Sequence, residues 1–545
     1  MSVSQGELVE AAVTSGLIDA DTVANLRVEA RRRREQLLDL MSRHGRFPMA
    51  AVYRALAEVR ALPFIDLGVT LPDKELVRKV PESILRKHQV VPVSQREGET
   101  VVATANPDDR AVGPVLERFL GQRVQLALTD PESIEPTIDR VLQGLRDGPS
   151  PTAAPAVDPV ALLDRVMKEA YLRRASDIHL EPEANGMRIR LRIDGRLVVY
   201  MAGLDPETGS ILMSRVKVLA DLNIAEQRAP QDGRFTYEPP AMGGKSIDIR
   251  VATMPTRWGE RATLRLLGSD TGELSLEALG MSSRELERFR SAIRRPYGII
   301  LLTGPTGSGK TTTLYAAIRE INKPHLNILT VEDPVEYLIS GVSQVHVGWT
   351  DKVTLASALR SLLRHDPDVL MVGEIRDQET ADVALKAAMT GHLMFSTLHT
   401  NTACGAITRL IDIGAEPFLI GSTLTGVIAQ RLVRRLCQRC RKPRPATTLE
   451  RHVLGAKDDD EEVILYDPVG CPNCLGSGYR GRIGLFEPLW IDHELARLIS
   501  RGVSQADVEA HVAPTLTTLR ADGCAKAREG ITTLDEVLTA TVLEA

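Results

Sequence analysis

The feature that most constrains the fold is a glycine-rich octapeptide near the middle of the chain. It reads GPTGSGKT over residues 304–311 and fits the pattern G-x-x-x-x-G-K-[ST]. The apolar segment GIILLT precedes it, and the segment TTTLYAAIREI, which has helical character, follows it. A strand, a glycine-rich turn and a helix in this order predict a phosphate-binding loop in an α/β domain.

The residue types in this loop suit a nucleoside triphosphate. Glycine lets backbone N–H groups turn towards phosphate oxygens, and the amino end of the helix adds positive potential. We expect Lys310 to bind the β- and γ-phosphates and the Thr311 hydroxyl to bind Mg²⁺. The predicted ATP site comprises Gly304, Pro305, Thr306, Gly307, Ser308, Gly309, Lys310, Thr311 and Thr312.

Acidic residues follow two further apolar segments that are predicted to be strands. Val369–Val372 leads into Gly373 and Glu374, with glycine where an aspartate usually stands. Glu374 is therefore the candidate for polarising the attacking water. The alternative is a surface acid paired with Arg376.

The second acidic group follows the predicted strand Asn327–Val331 and consists of Glu332, Asp333 and Glu336. Sites gather at the carboxyl ends of parallel strands, so we expect these acids and Glu374 to face the same nucleotide. For Asp333, the alternative is a helix cap.

Two histidines border the next predicted strand, Leu393–Thr397. His399 follows the strand and is predicted to sense the γ-phosphate, whereas His392 precedes it and is assigned to the same site. A single histidine is more often structural, and the pair is what favours a functional role.

Phosphoryl transfer also needs positive charge near the γ-phosphate, and one arginine can contribute about 10³–10⁵ in rate. Spacing alone does not choose among the candidates, which are Arg250, Arg261, Arg265, Arg360, Arg364 and Arg376.

Four of the six cysteines form two hooks with two-residue gaps, Cys437-x-x-Cys440 and Cys471-x-x-Cys474. Four thiolates suit tetrahedral Zn²⁺ with no open position, which predicts a structural metal. Free thiols and an iron–sulfur centre are the alternatives.

Composition excludes several classes of protein. The 545 residues include 67 Lys and Arg against 72 Asp and Glu, so the net charge of −5 provides no global basic field for nucleic acid. No apolar run approaches the roughly 18 residues needed to span a bilayer, and the first residues do not read as a signal peptide. We therefore expect a cytoplasmic protein.

Composition and periodicity divide the chain into several regions. Residues 146–159, RDGPSPTAAPAVDP, read as a linker. Alternating segments around Met187–Val198, with Asp194-Gly195 as a hairpin turn, predict an antiparallel sheet. The expected organisation is a helical segment (1–60), a mixed α/β module (61–145), the linker (146–159), an α+β domain (160–268), a parallel α/β core (269–416) and a helical carboxyl-terminal region with the cysteines (417–545).

Over roughly residues 160–500 the chain resembles the type II secretion and type IV pilus assembly ATPases, the general secretory pathway protein E family. The motifs that carry the resemblance are ASDIHLEP, RIDG, AEQRAPQDGR, DIRVATMPT, GER, GPTGSGKTTT, TVEDPVEY, GEIRD, TGHLMFSTLHTN, AQRLVRRLC and GCPNCLGSGYRGRIGLFE.

The resemblance implies a homo-hexameric ring with ATP between a PAS-like second domain and a RecA-like core. It implies that Arg250 and Arg265 reach the nucleotide and that Glu374 is the catalytic glutamate. Glu332, Asp333 and Glu336 fall in the family's acidic box, and His392 and His399 in its histidine box.

The resemblance also implies partners and a location. The ring would act on the inner face of the bacterial inner membrane, against a polytopic platform protein, and residues 61–145 would dock onto a membrane-anchored protein. Some members bind a cyclic dinucleotide through an arginine-leucine-glycine start, but the nearest candidate here, Arg46, is followed by Phe47 and Pro48. The cysteine hooks favour an assembly ATPase over a retraction ATPase.

Three other functions compete with this interpretation. A nucleic-acid motor would share the nucleotide core, but the acidic net charge and the 4% aromatic content argue against it. A type IV secretion ATPase would share the core without the cysteine hooks. A nucleotide-gated scaffold would bind ATP without turnover.

Overall fold

The structure is a computed structural model. It describes residues 3–68, 70, 72–96, 98–146, 159–238, 246–267, 275–347, 353–456, 462–502 and 504–541. The predicted linker, apart from its two end residues, lies outside the described residues. Contacts divide the chain into a first unit, Met1–Asp270 with Gly470–Gly476, and a second unit, Thr271–Val469 with Ser477–Ala545.

The first unit opens with short helices that bury one face each. Helices α1 to α6 lie at Gln5–Thr14, Ala20–Arg33, Leu37–Gly45, Met49–Val59, Lys74–Arg78 and Glu82–His88. The mixed module continues with β1 (Val90–Arg96), β2 (Glu99–Thr104), α7 (Val112–Leu120), β3 (Arg123–Leu128) and α8 (Ile134–Arg146). Strand β2 is central, antiparallel to β1 and parallel to β3. Helices and strands therefore alternate here, as expected from the sequence for a mixed α/β module.

A six-stranded antiparallel sheet follows in the same unit, in the order β6-β5-β4-β9-β8-β7. Its elements are α9 (Pro159–Leu172), β4 (Ala175–Glu183), β5 (Gly186–Ile193), β6 (Arg196–Leu204), α10 (Pro206–Leu219), β7 (Gln231–Tyr237), β8 (Ile247–Thr256) and β9 (Gly259–Leu267). The predicted hairpin is confirmed, because Asp194 and Gly195, both at positive φ, join β5 to β6. Alternation in β8 buries Ile249 and Val251 and leaves Arg250 on the opposite, polar face.

The second unit is built on a seven-stranded sheet in the order β12-β11-β13-β14-β10-β15-β18. All neighbouring pairs are parallel except β15 with β18. Its first elements are α11 (Ser283–Ile293), β10 (Gly298–Thr303), α12 (Lys310–Ile321), β11 (Ile328–Glu332), β12 (Ser343–His346), α13 (Leu355–Leu362), β13 (Val369–Val372), α14 (Gln378–Met389), β14 (Leu393–Leu398) and α15 (Ala403–Asp412). The four strands predicted for the core are confirmed, and helices pack on both faces of a largely apolar sheet.

The region after residue 416 was expected to be helical, but its described residues contain four strands as well as six α-helices. The elements are α16 (Pro417–Thr423), β15 (Leu424–Leu436), β16 (Lys442–Pro445), α17 (Thr448–Val453), β17 (Ile464–Asp467), β18 (Tyr479–Trp490), α18 (His493–Ser500), α19 (Gln505–Val512), α20 (Leu519–Arg528) and α21 (Leu534–Ala540). Strand β15 pairs with β10, so the central sheet extends beyond residue 416. The apolar residues of β15 recur with neither a helical nor a strand period, so the sequence alone does not predict its conformation. Pairing with β10 and β18 makes this segment a strand.

In the first unit, a buried acid stands among other acids. Burial raises the pKa of the Asp130 carboxyl to about 6, and the negative charges of Glu169, Asp66 and Glu132 add to the effect, while a hydrogen bond with the Ser133 side chain opposes it. The folded chain therefore holds this proton more tightly than the unfolded chain does. It follows that ionising Asp130 opposes folding.

We expect Asp130→Asn to stabilise the first unit at pH 7 by about 1–3 kcal/mol and to change little at pH 4. In the native chain the free energy of unfolding should fall as pH rises from about 4 to about 6, because the folded state binds more protons in that window. Urea unfolding of the full chain at both pH values measures this effect, with the exposed Asp21→Asn as control. Equal stabilisation at both pH values would contradict the account.

Candidate active site

The phosphate-binding loop joins the buried strand β10 to helix α12, as the sequence predicts. Gly304 has φ +145°, and a Cβ atom there would lie 2.5 Å from the Gln430 carbonyl oxygen. Gly309 has φ +87° and caps the helix. Any other residue at Gly304 would displace the backbone of β15, so the glycine allows the loop to pack against that strand.

Lys310 lies at the first position of α12 and is 8% exposed. Its Nζ donates hydrogen bonds to the carbonyl oxygens of Gly304 at 2.7 Å and Pro305 at 3.1 Å. Burial lowers the pKa of Lys310 to about 8, and nearby Arg431 lowers it further, whereas Glu374 opposes the shift. An anionic ligand would stabilise the charged ammonium, so this lysine is poised for phosphate.

Two observations indicate that the loop fits a phosphate chain. The Ser308 Oγ is buried and makes no hydrogen bond with any described residue. Gly307, at the exposed tip, faces open space, with no described heavy atom within 4 Å of a Cβ placed there. An unsatisfied hydroxyl beside an open, N–H-lined turn suits phosphate oxygens. Thr311 and Thr312 are half-buried in the first turn of α12.

Strands β11, β13, β14 and β10 are adjacent and parallel, so their carboxyl ends meet beside this loop. Glu374 follows β13, and its side chain is 14% exposed. Its Oε2 lies 3.0 Å from the His399 Nε2, and its Oε1 pairs with Arg376. The pairing with Arg376 that sequence left open does occur, but it occurs at the site rather than on a remote surface.

The other acids at this edge differ in exposure. Glu332 is 2% exposed, whereas Asp333 is exposed and Glu336 is half-buried. No helix begins between residues 333 and 347, so Asp333 does not cap one. Glu332 accepts hydrogen bonds from Tyr315, Thr330 and Gln344.

His392 does not join the cluster, and its assignment to the same site needs correction. It lies immediately before β14, where its Nδ1 contacts the Ala387 carbonyl oxygen at 2.9 Å. His399 lies just after the same strand. A strand of six residues spans about 20 Å. The two histidines therefore lie at opposite ends of β14, His392 at its amino end and His399 at its carboxyl end.

Sequence reasoning missed Arg431, which β15 places beside the loop. It is 9% exposed, and its guanidinium donates to the carbonyl oxygens of Gln430 at 3.1 Å and Asn401 at 3.1 Å. Gln430 in turn accepts a hydrogen bond from Thr313 of α12 at 2.9 Å. The motif AQRLVRRLC contained both residues, but only the pairing of β15 with β10 shows their place.

The remaining candidate arginines lie in both units, two in the second and three in the first. Arg360 of α13 pairs with Glu379 of α14 at 2.7 Å, and Arg364 donates to the Arg360 carbonyl oxygen. In the first unit, Arg250 and Arg265 lie directly opposite each other on β8 and β9. Arg265 also donates to Asp177 at 3.0 Å. Arg261, four residues before Arg265 on β9, lies on the same polar face of the sheet.

The four hook cysteines come together. Their Sγ atoms all lie within 4.8 Å of one another, and those of Cys471 and Cys474 are 3.8 Å apart. A tetrahedron with Zn–S bonds of about 2.3 Å has edges of roughly 3.8 Å. By this geometry Cys437, Cys440, Cys471 and Cys474 fit a zinc ion, while Cys404 and Cys524 lie outside the group.

A phosphate-binding loop between a parallel strand and a helix, with a carboxylate and a histidine on neighbouring strand ends, defines a P-loop ATPase. The chain belongs to the type II/IV secretion system protein family, whose model matches residues 156–539. The model of the MshEN domain matches residues 60–148, close to the predicted module.

Relatives support this placement. The type II secretion system ATPase E of Vibrio cholerae is 49% identical over 382 residues, which is 70% of this chain and 75% of that protein. The type IV pilus assembly ATPase PilB of Myxococcus xanthus is 36% identical over 565 residues, 98% of each chain. The fold is also that of the Legionella pneumophila ATPase DotB (TM-score 0.54, 23% identity, 72% of this chain and 98% of that one). Among the described residues, no helix has both the length and the apolar character to cross a bilayer.

Proposed function

We propose that this chain forms a hexameric ring that hydrolyses ATP and uses the energy to assemble a pseudopilus or a type IV pilus. The proposal rests on one observation in a chain that belongs to this family. Lys310, Glu374 and His399 lie together beside adjacent strand ends. The names of the relatives, secretion ATPase E and pilus assembly ATPase PilB, support the coupling to a fibre.

In this proposal each residue has a defined task. Lys310 leaves the loop carbonyls and binds the β- and γ-phosphates, and Arg431 adds positive charge beside them. Glu374 orients the attacking water and accepts its proton. His399 and Arg376 hold the two oxygens of Glu374, so the carboxylate is oriented before the water arrives. Asp333 and Glu336 face the same edge and complete the nucleotide site.

Two metals belong to the proposal. Mg²⁺, held by the Thr311 hydroxyl, would neutralise charge on the phosphates. Zn²⁺, held by the four hook thiolates, would be structural, because no open position remains. Arg250 and Arg265 would supply further positive charge to the nucleotide across the ring, with Asp177 holding Arg265 in place.

The partners and the location are also proposals. Residues 61–145, most of the segment that the MshEN model matches, would dock onto a membrane-anchored protein. A ring of this kind would push against an inner-membrane platform protein from the cytoplasm, as a peripheral assembly. We expect no nucleic acid among its partners, since the net charge is −5.

Deleting the gene and scoring both enzyme export and surface pili tests the proposal and decides which fibre is built. We expect the deletion to abolish either enzyme export or surface pili. A plasmid that encodes the native chain should restore the lost function, whereas one that encodes Lys310→Ala should not. The exposed Lys386→Ala is the matched control and should restore the phenotype. Normal export and normal pili in the deletion strain would contradict the proposal.

A further inference from the structure

Glu332 is the most enclosed acid of the site. It ends β11 and is 2% exposed, yet both of its carboxylate oxygens accept hydrogen bonds. The Thr330 Oγ1 donates to Oε1 at 2.6 Å, the Gln344 Nε2 donates to Oε1 at 3.1 Å, and the Tyr315 hydroxyl donates to Oε2. We call Thr330, Tyr315, Gln344 and Glu332 the Glu332 hub.

The hub joins elements that are separate in sequence. Tyr315 belongs to α12, the helix that begins with Lys310, and Gln344 belongs to the edge strand β12. A buried carboxylate with three donors keeps one geometry. Burial and the negative charge of Glu332 raise the pKa of Tyr315, so the phenol keeps its proton and remains a donor.

The same donors also hold the loop that follows β11. The Glu336 N–H donates to the Tyr315 hydroxyl oxygen at 3.4 Å. Gln344 accepts from the Ile339 N–H at 2.7 Å and donates to the Tyr337 carbonyl oxygen at 3.2 Å. The loop with Asp333 and Glu336 is therefore fixed to the phosphate-binding helix through the hub.

We propose that Tyr315 and Gln344 are positioning residues for hydrolysis, which act through Glu332 to fix the acidic loop against helix α12. Glu332 itself then orients neighbouring groups and takes no proton from water, because it is only 2% exposed and three donors surround it, whereas the Glu374 side chain is 14% exposed. The inference rests on the proposed function, since the nucleotide would bind at the amino end of α12.

The test is Tyr315→Phe, which removes one hydroxyl and keeps the ring. We expect kcat of Mg-ATP hydrolysis, counted per bound nucleotide, to fall about 10- to 100-fold, because a loop misplaced by a fraction of an ångström costs orders of magnitude in rate. The Kd of a fluorescent ATP analogue should stay within about threefold, since the phosphate loop is intact. Gln344→Ala should likewise lower kcat and leave this Kd nearly unchanged.

Tyr337→Phe is the matched control. Its ring packs edge-on against Tyr315 at 4.5 Å, but its hydroxyl makes no hydrogen bond with the hub. It should keep kcat within about twofold. Should Tyr315→Phe fail to fold, Gln344→Ala decides the question alone.

The outcomes separate the two proposals. Native kcat in both hub variants, or loss of nucleotide binding together with kcat, would overturn the positioning role. If the native chain and Lys310→Ala hydrolyse ATP equally, the proposed function itself fails, whatever the hub variants do.

Discussion

Glu374→Gln should stop ATP turnover and leave ATP binding intact. Glutamine keeps the size of the side chain but cannot accept a proton, and its amide disturbs the pairing with His399 and Arg376. Removing a general base lowers rates by about 10²–10⁴-fold. The phosphate loop does not change, so the affinity for ATP should stay within a few-fold. Steady-state phosphate release and equilibrium binding of Mg-ATP measure the two effects separately.

The control for this variant is Glu379→Gln, an exposed acid on α14 that pairs with Arg360. It should hydrolyse ATP at the native rate. Lys310→Ala should differ from Glu374→Gln in losing affinity as well as rate, because the ammonium binds the phosphates directly. Normal hydrolysis by Glu374→Gln would show that another group activates the water.

Cys471→Ser should remove zinc and destabilise the carboxyl-terminal third of the chain. Serine oxygen is a poor ligand for Zn²⁺, and the free energy of metal binding is also free energy of folding. We expect the zinc content to fall from about one atom per chain to near zero. The melting temperature should fall by on the order of 10 °C, because each kcal/mol corresponds to about 2–4 °C in a region of this size.

Elemental analysis and thermal unfolding of the purified chain measure both effects. Cys524→Ala is the control, because Cys524 is half-buried and lies outside the four-thiol group. It should retain zinc. A native protein purified without chelators that carries no zinc would contradict the assignment of the metal.

Much of the site could be predicted because it depends on local pattern. A buried strand followed by a glycine-rich turn and a helix places Lys310 without any knowledge of long-range contacts. The rule that parallel strands share one edge was enough to bring Glu332, Glu374 and His399 together. The cysteine hooks were equally local in their spacing.

The rest depended on pairing between distant segments. Arg431 reaches the loop only because β15 lies beside β10, and β15 was taken for part of a helical region. The assignment of His392 to the site was wrong for the opposite reason. His392 and His399 are close in sequence, but the whole length of β14 separates them in space. Gln344 and Tyr315 carried no motif signal of their own, because their role exists only where α12, β11 and β12 meet.

The central claim is that neighbouring strand ends surround one triphosphate. A structure of Glu374→Gln bound to Mg-ATP tests it most directly, because the trapped substrate shows which atoms it contacts. We predict the Lys310 Nζ within hydrogen-bond distance of the β- or γ-phosphate oxygens, and residue 374 next to the water that faces the γ-phosphate. A triphosphate bound away from Lys310, with residue 374 and His399 turned from it, would contradict the account.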